Sequence, residues 1–111
     1  MREFAIHAYN IISEHYGLSK YNLEYPELEI INDEQELLTG EYRDDSNTII
    51  LNLHSILCKE QVVTVLTHEY IHYLQSPTWM TRYYNMGYDY FNHPYELEAY
   101  KREDELQHLF T

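Results

Sequence analysis

The sequence has few of the residues that mark secreted, nucleic-acid-binding or membrane-spanning proteins. Cys58 is the only cysteine among 111 residues, so no disulfide forms within the chain and no CxxC zinc motif exists. Only seven lysine and arginine residues oppose nineteen acidic residues, and the net charge of −12 excludes a basic face for phosphates. No apolar run approaches the roughly 20 residues of a transmembrane helix. We therefore expect neither nucleic-acid nor membrane binding.

The N-terminal segment and the length bear on location and domain organisation. Charged residues and histidines interrupt residues 1–17, where a secretory signal peptide needs an unbroken apolar run. Together with the single cysteine, this favours a reducing compartment. We expect a cytoplasmic location, which is the host cytoplasm if a phage encodes the protein. A chain of 111 residues predicts one domain, over residues 1–111.

Three glycines and three prolines divide the chain into predicted elements. Apolar residues recur at helical spacing over residues 2–16, and Gly17 follows where a left-handed C-cap would lie. Residues 59–75 have the same spacing, and Pro77 ends that pattern because the residue before a proline avoids the helical region. The sequence therefore predicts an N-terminal helix and a central helix.

The C-terminal third is predicted to contain one further helix. Pro94 suits the first position of a helix that runs to about Leu109, with Asn92 or His93 as its N-cap. The preceding residues 78–93 are aromatic and lack a clear period. We predict that they form an ordered loop containing at most one helical turn.

The region between the first two helices favours short strands. Leu28 and Ile31 lie in one candidate strand, and Tyr42 precedes a polar turn over residues 43–47. Residues 48–53 are rich in β-branched and apolar side chains, so they predict the second arm of a hairpin. The expected fold class is α+β, with a small antiparallel or mixed sheet.

The motif that points to chemistry is H-E-x-x-H, formed by His68, Glu69 and His72. Residues four apart lie on one helix face, so both imidazoles can reach one tetrahedral Zn²⁺. Glu69 projects to another side, from which it can take a proton from water as a general base. The alternative is that two surface histidines stand beside an incidental glutamate.

A catalytic zinc needs a third protein ligand and one open position. A third histidine six residues after the second is absent, because Thr78 occupies that position. The remaining candidates are Glu96, Glu98 and His93. On a helix that continues to Leu109, the two glutamates lie on opposite borders of the apolar face. Helix geometry therefore leaves both of them open.

The segments VVTVLTHEYIHYLQ and HPYELEAY resemble the gluzincin branch of the zincin metallopeptidases, including small intracellular and phage members similar to ImmA/IrrE proteins. The resemblance covers roughly residues 40–105. It implies a minimal zincin-like fold, and its glutamate–alanine pair implies that Glu98, before Ala99, is the zinc ligand. It also implies an edge strand that pairs with an extended substrate, a role that residues 48–53 would take. SprT-like proteases use a third histidine, which here could only be His93.

The resulting prediction is a zinc-dependent metallopeptidase acting on a protein or peptide substrate. Zn²⁺ on His68, His72 and Glu98 would activate a water, and Glu69 would take its proton and pass it to the leaving amine. A donor from the aromatic segment would stabilise the oxyanion. The candidates for that donor are Tyr84, Tyr88, Tyr90, Arg82 and His93.

Two other functions compete with the peptidase. The first is a catalytically inactive, zinc-binding zincin-like interaction module, which the small size of the chain favours. The second is an acidic phage-type inhibitor or decoy protein, which the net charge of −12 favours. A decoy has no need for the H-E-x-x-H helix, and an inactive module has no need for Glu69.

Overall fold

The chain folds as an α+β protein in which helices flank a small mixed sheet. The structure, a computed structural model, describes residues 1–110. Its elements are α1 (Arg2–Tyr16), β1 (Glu27–Ile31), β2 (Gly40–Arg43), β3 (Thr48–Asn52), α2 (Lys59–Leu74), α3 (Pro77–Asn85) and α4 (Pro94–Arg102), with short 3₁₀ turns at Leu53–Ser55 and Gln107–Phe110. No helix within the described residues is both long enough and apolar enough to cross a membrane.

The helix α1 confirms the prediction for residues 2–16. Ala5, Ala8 and Ile12 recur on one face and are fully buried, and α1 packs against α2 through this face. Gly17 ends the helix with φ 73 and ψ −158, which differs from the predicted left-handed C-cap but is likewise a conformation that a side chain would disfavour. Its backbone N–H donates to the Ser13 carbonyl at 2.8 Å.

The sheet has the strand order β1-β3-β2, with β1 parallel and β2 antiparallel to β3. The predicted hairpin is confirmed as β2 and β3, and its turn includes Asn47 at φ 48. However, β3 lies at the centre of the sheet because its apolar residues Ile49 and Leu51 are buried against the helices. The prediction that residues 48–53 form a substrate-pairing edge strand is therefore wrong, and β2 forms the edge on that side.

Asn52 joins the end of β3 to the segment that follows β1. Its side-chain amide donates to the Asp33 carbonyl at 3.0 Å, and its oxygen accepts from the Asp33 backbone N–H at 3.1 Å. The same oxygen caps the 3₁₀ turn by accepting from the His54 N–H at 3.2 Å. Asn52 is 1% exposed, so these bonds satisfy an otherwise costly buried amide.

The segment after α2 is more helical than the sequence predicts. The helix α3 replaces the expected loop, because Ser76 caps its N-terminus and Pro77 suits its first turn. Its aromatic residues pack on each other rather than into the core, as Trp79 on Tyr83 illustrates (ring centroids 5.5 Å apart). Trp79, Met80, Tyr83 and Tyr84 nevertheless recur at helical spacing, so the sequence does contain a signal for α3.

The last helix is shorter than predicted. His93 caps α4, as one of the two predictions had it, and its side chain accepts the Tyr95 N–H. The helix ends at Arg102 rather than near Leu109. Three acidic residues follow at 103–105, where negative charge opposes the helix dipole.

Candidate metal centre

The H-E-x-x-H motif lies on α2 with its three polar side chains largely buried. The exposed fractions are 8% for His68 and 9% for Glu69. The rings of His68 and His72 lie on the same side of the helix, with centroids 5.0 Å apart. The motif is therefore part of the interior of the molecule, which argues against two incidental surface histidines.

Glu96 of α4 faces both imidazoles. Its Oε1 lies 2.7 Å from His68 Nε2 and 2.9 Å from His72 Nε2. One ligand atom from each of the three buried residues lies within 4.8 Å of the others. Two imidazole nitrogens and one carboxylate oxygen form a donor set that suits Zn²⁺ with an open fourth position.

The structure does not bring Glu98, the predicted third ligand, to the two histidines. Glu98 is exposed, and its Oε1 accepts a hydrogen bond from Gln75 Nε2 at 2.7 Å. The physical reason is the phase of α4, because Glu96 and Ala99 form its buried face toward α2. Of the alternatives left open by the sequence, the structure brings Glu96 to the site.

His93, the other alternative, does not face the cluster. It is fully buried, and both of its ring nitrogens have backbone partners. Nδ1 accepts from the Tyr95 N–H at 3.1 Å, and Nε2 lies 3.0 Å from the Met80 carbonyl, to which it donates. His93 is therefore a capping residue of α4 rather than a metal ligand.

Two residues that the sequence did not single out hold the outer nitrogens of the imidazoles. Glu103 Oε2 lies 2.9 Å from His68 Nδ1, and Gln75 Oε1 lies 2.7 Å from His72 Nδ1. Metal-binding histidines usually donate this second N–H to a carboxylate, carbonyl or water. The sequence contains a signal for Glu103, because it follows Glu96 by seven residues, or two helical turns. This spacing places both side chains on the same side of a helix.

The ionisation of the cluster follows from burial and contacts. Burial disfavours the imidazolium of His68, but the hydrogen bond to Glu96 and the charge of Glu69 outweigh this penalty and raise the pKa of His68 to about 9. Burial also disfavours the charged form of Glu96, but hydrogen bonds from His68 and His72 lower its pKa to about 2. Without metal, these side chains therefore form an ion network at neutral pH.

Glu69 has a different environment from Glu96. Burial raises the pKa of Glu69, and the neighbouring charges of His72 and His68 oppose that rise. A backbone hydrogen bond from Tyr42 on β2 also favours its carboxylate form. A buried carboxylate with a raised pKa, beside a potential metal site, is suited to accept and return a proton.

The strand β2 approaches Glu69 closely because residue 40 is glycine. A Cβ on Gly40 would lie 2.4 Å from Val65 Cγ1 and 3.3 Å from Glu69 Cγ. The missing side chain therefore allows β2 to run beside α2 at the level of Glu69.

An open cavity of about 400 Å³ connects these groups to solvent. Of the predicted oxyanion donors, Tyr84 and Tyr90 line this cavity, whereas Tyr88 does not and instead packs on the ring of Tyr83. Arg82 is also absent from the lining, and its guanidinium lies over Trp79. The wall is formed by residues of β2, α2, α3 and α4, together with Tyr90 and the residues that flank β2. Its other members include Leu38, Glu41, Tyr42, Asp44, Pro77 and Met80.

Comparison of the chain with protein-family models, with curated proteins and with solved structures gives no match. The resemblance to gluzincins therefore rests on the two short motifs alone. Any functional conclusion depends on the geometry around His68, Glu69, His72 and Glu96.

Proposed function

We propose that this protein is a zinc-dependent metallopeptidase that hydrolyses peptide bonds in a protein or peptide substrate inside the cell. The observation that carries the proposal is the convergence of His68, His72 and Glu96 on one buried point, with Glu69 in the same open cavity. An inactive metal site would not need a buried fourth acid with a raised pKa beside it.

The donor set of two imidazoles and one carboxylate would hold Zn²⁺ and leave a position open to the cavity. A zinc ion bound there would supply Lewis acidity and would lower the pKa of water to about 7. Glu69 accepts the proton of the attacking water and returns it to the leaving amine. Its burial favours both halves of this transfer, because it brings the pKa of the carboxyl closer to neutrality.

Substrate binding would use the free edge of β2. The other edge of β2 pairs with β3, and Gly40, Glu41 and Tyr42 line the cavity beside Glu69. An extended peptide that adds to this edge would lie with its backbone across the proposed zinc site. Tyr84 and Tyr90 line the same cavity, so either hydroxyl could donate to the oxyanion that forms on the scissile carbonyl.

The first test is zinc content, measured on protein reconstituted with Zn²⁺ and passed through a desalting column. We expect one zinc per chain in the wild type, loss of that zinc in Glu96→Ala, and retention of one zinc in Glu98→Ala, in which all three proposed ligands remain. Zinc in Glu96→Ala but not in Glu98→Ala would contradict the ligand set. A wild type that never binds zinc would overturn the enzyme and favour the acidic decoy.

The second test separates a peptidase from an inactive zinc module. Cleavage of a fluorogenic peptide library by the wild type is compared with that by Glu69→Gln, which keeps the size and one acceptor oxygen of the side chain but removes the base. We expect zinc to remain and cleavage to fall by at least ~10²-fold. A zinc-loaded wild type that cleaves nothing would leave the interaction module as the function.

A further inference from the structure

Gln75, at the end of α2, is the hub of a small polar network behind His72. Only 7% of its surface is exposed. Its Oε1 lies 2.7 Å from His72 Nδ1, and its Nε2 donates to the Tyr95 carbonyl at 2.9 Å and to Glu98 Oε1 at 2.7 Å. One side chain therefore links the H-E-x-x-H helix to two residues of α4.

The network determines which way the amide of Gln75 points. A backbone carbonyl and a carboxylate only accept hydrogen bonds, so Tyr95 and Glu98 both require the NH₂ end of the amide. The oxygen end must then face His72, and His72 Nδ1 must be the donor. With its proton held on Nδ1, the neutral imidazole offers the lone pair of Nε2 to the proposed metal.

In His68, a single contact fixes the same tautomer. Glu103 is an ionised acceptor that faces its Nδ1 directly. An amide has no such preference, because it presents a donor as readily as an acceptor when it is free to flip. The orientation of His72 therefore depends on the two acceptors behind Gln75, the Tyr95 carbonyl and the carboxylate of Glu98, which together hold the amide.

We propose that Gln75, held by Glu98, is the positioning residue that fixes the ring and the tautomer of His72 for metal binding. The inference rests on the proposed zinc site and deepens it. It also gives Glu98 a role two hydrogen bonds away from the metal instead of on it.

The test measures the zinc dissociation constant by competition with a chromophoric chelator. We expect Gln75→Leu to weaken zinc binding by roughly 10–100-fold, as is usual when the partner of a ligating histidine is removed. Gln107→Leu is the matched control, because Gln107 also bridges α2 through its Nε2, at Glu60 and Thr64 near the opposite end of the helix. This control should bind zinc as tightly as the wild type.

A swapped pair separates positioning from structural damage. Gln75→Glu combined with Glu98→Gln keeps an acceptor toward His72 and restores a donor–acceptor pair between positions 75 and 98. Both this double variant and Gln75→Glu alone place a carboxylate oxygen against the Tyr95 carbonyl, so the two variants differ only at position 98. We expect the double variant to bind zinc more tightly than Gln75→Glu alone, which also places two carboxylates together, and to have a visible spectrum closer to that of the Co²⁺-substituted wild type.

The outcomes distinguish the two proposals. If the wild type and Gln107→Leu bind zinc but Gln75→Leu binds it equally well, the positioning role is overturned and the zinc site remains. The same follows if the swapped pair folds like the wild type, judged by circular dichroism, and binds zinc no more tightly than Gln75→Glu alone. A wild type that binds no zinc removes the proposed function, and the inference with it.

Discussion

Gly40→Ala is the substitution that tests most directly how β2 is placed beside the site. The new Cβ would lie 2.4 Å from Val65 Cγ1, 3.3 Å from Glu69 Cγ and 3.5 Å from the Ile50 carbonyl oxygen. The first contact is far inside van der Waals distance, so β2 or α2 must move. Val65 cannot rotate away easily, because a valine in a helix has one strongly preferred rotamer.

Gly40→Ala should lower the free energy of unfolding, because the added methyl group overpacks the contact between β2 and α2. Adding a methyl group to a filled site typically destabilises a protein by about 1–3 kcal/mol. For a domain near 100 residues, each kcal/mol lowers Tm by roughly 4–8 °C. The contact atom Val65 Cγ1 is absent from alanine, so Val65→Ala should restore part of the loss. We therefore expect a favourable coupling of about 1 kcal/mol or more between the two substitutions.

The assay is urea unfolding of the four members of this double-mutant cycle, with a chelator present so that metal binding does not contribute. Gly17→Ala is the control, because its cost comes from the positive φ of 73 and no atom lies within 4 Å of the added Cβ. Its effect should add to that of Val65→Ala without coupling. A Gly40→Ala variant as stable as the wild type, or one that Val65→Ala does not rescue, would refute the close-packing argument.

Three further predictions concern stability. In metal-free protein, the His68–Glu96 network should stabilise the fold most between pH 4.5 and 6.5, because the pKa of His68 is raised from 6.5 to about 9 and that of Glu96 is lowered from 4.5 to about 2. Its contribution is lost as pH rises through 9 or falls through 2, as urea unfolding across this range would measure. Asn52→Ala should cost about 1–3 kcal/mol, since buried backbone groups lose their partners. Tyr70→Phe should cost about 1 kcal/mol by removing the bond to the Gly17 carbonyl, measured by thermal unfolding.

Each of these predictions has a clear contrary result. A Glu96→Gln variant with the same pH profile as the wild type would show that the network does not contribute to stability. An Asn52→Ala variant whose free energy of unfolding equals that of the wild type within experimental error would mean that water replaces the amide. A Tyr70→Phe variant of raised stability would mean that the hydroxyl is poorly placed toward Gly17.

The helices and the hairpin could be predicted because their signals are local. Residues 2–16 and 59–75 repeat apolar side chains at helical spacing, and α1 and α2 follow those limits within about one residue. The position of β3 at the centre of the sheet depends on a parallel pairing with β1, some twenty residues away in sequence. No local pattern specifies such a pairing, so the wrong strand was expected at the edge.

The candidate site likewise has a part that local sequence predicts and a part that it does not. His68, Glu69 and His72 share one helix turn, so the sequence alone places them together. Identifying the third candidate ligand requires knowledge of which face of α4 packs against α2, and no local sequence pattern provides it. A helix that continues to Leu109 would include residues beyond Arg102 in its buried face, whereas α4 ends at Arg102. The shorter helix has Glu96 on the buried face.

The form of the cluster itself favours a metal over a structural ion pair. His68 and His72 both direct Nε2 at the same oxygen of Glu96, so three ligand atoms converge on one point rather than forming separate pairs. A second buried charge adds desolvation cost that hydrophobic residues of similar volume would avoid. Glu103 and Gln75 also form hydrogen bonds with the Nδ1 atoms of the two histidines. Neither imidazole can therefore rotate toward another partner without losing a hydrogen bond. A divalent cation in the proposed site would replace the two protons between these ligands, and it would give both histidines a role at a point where one would suffice for packing.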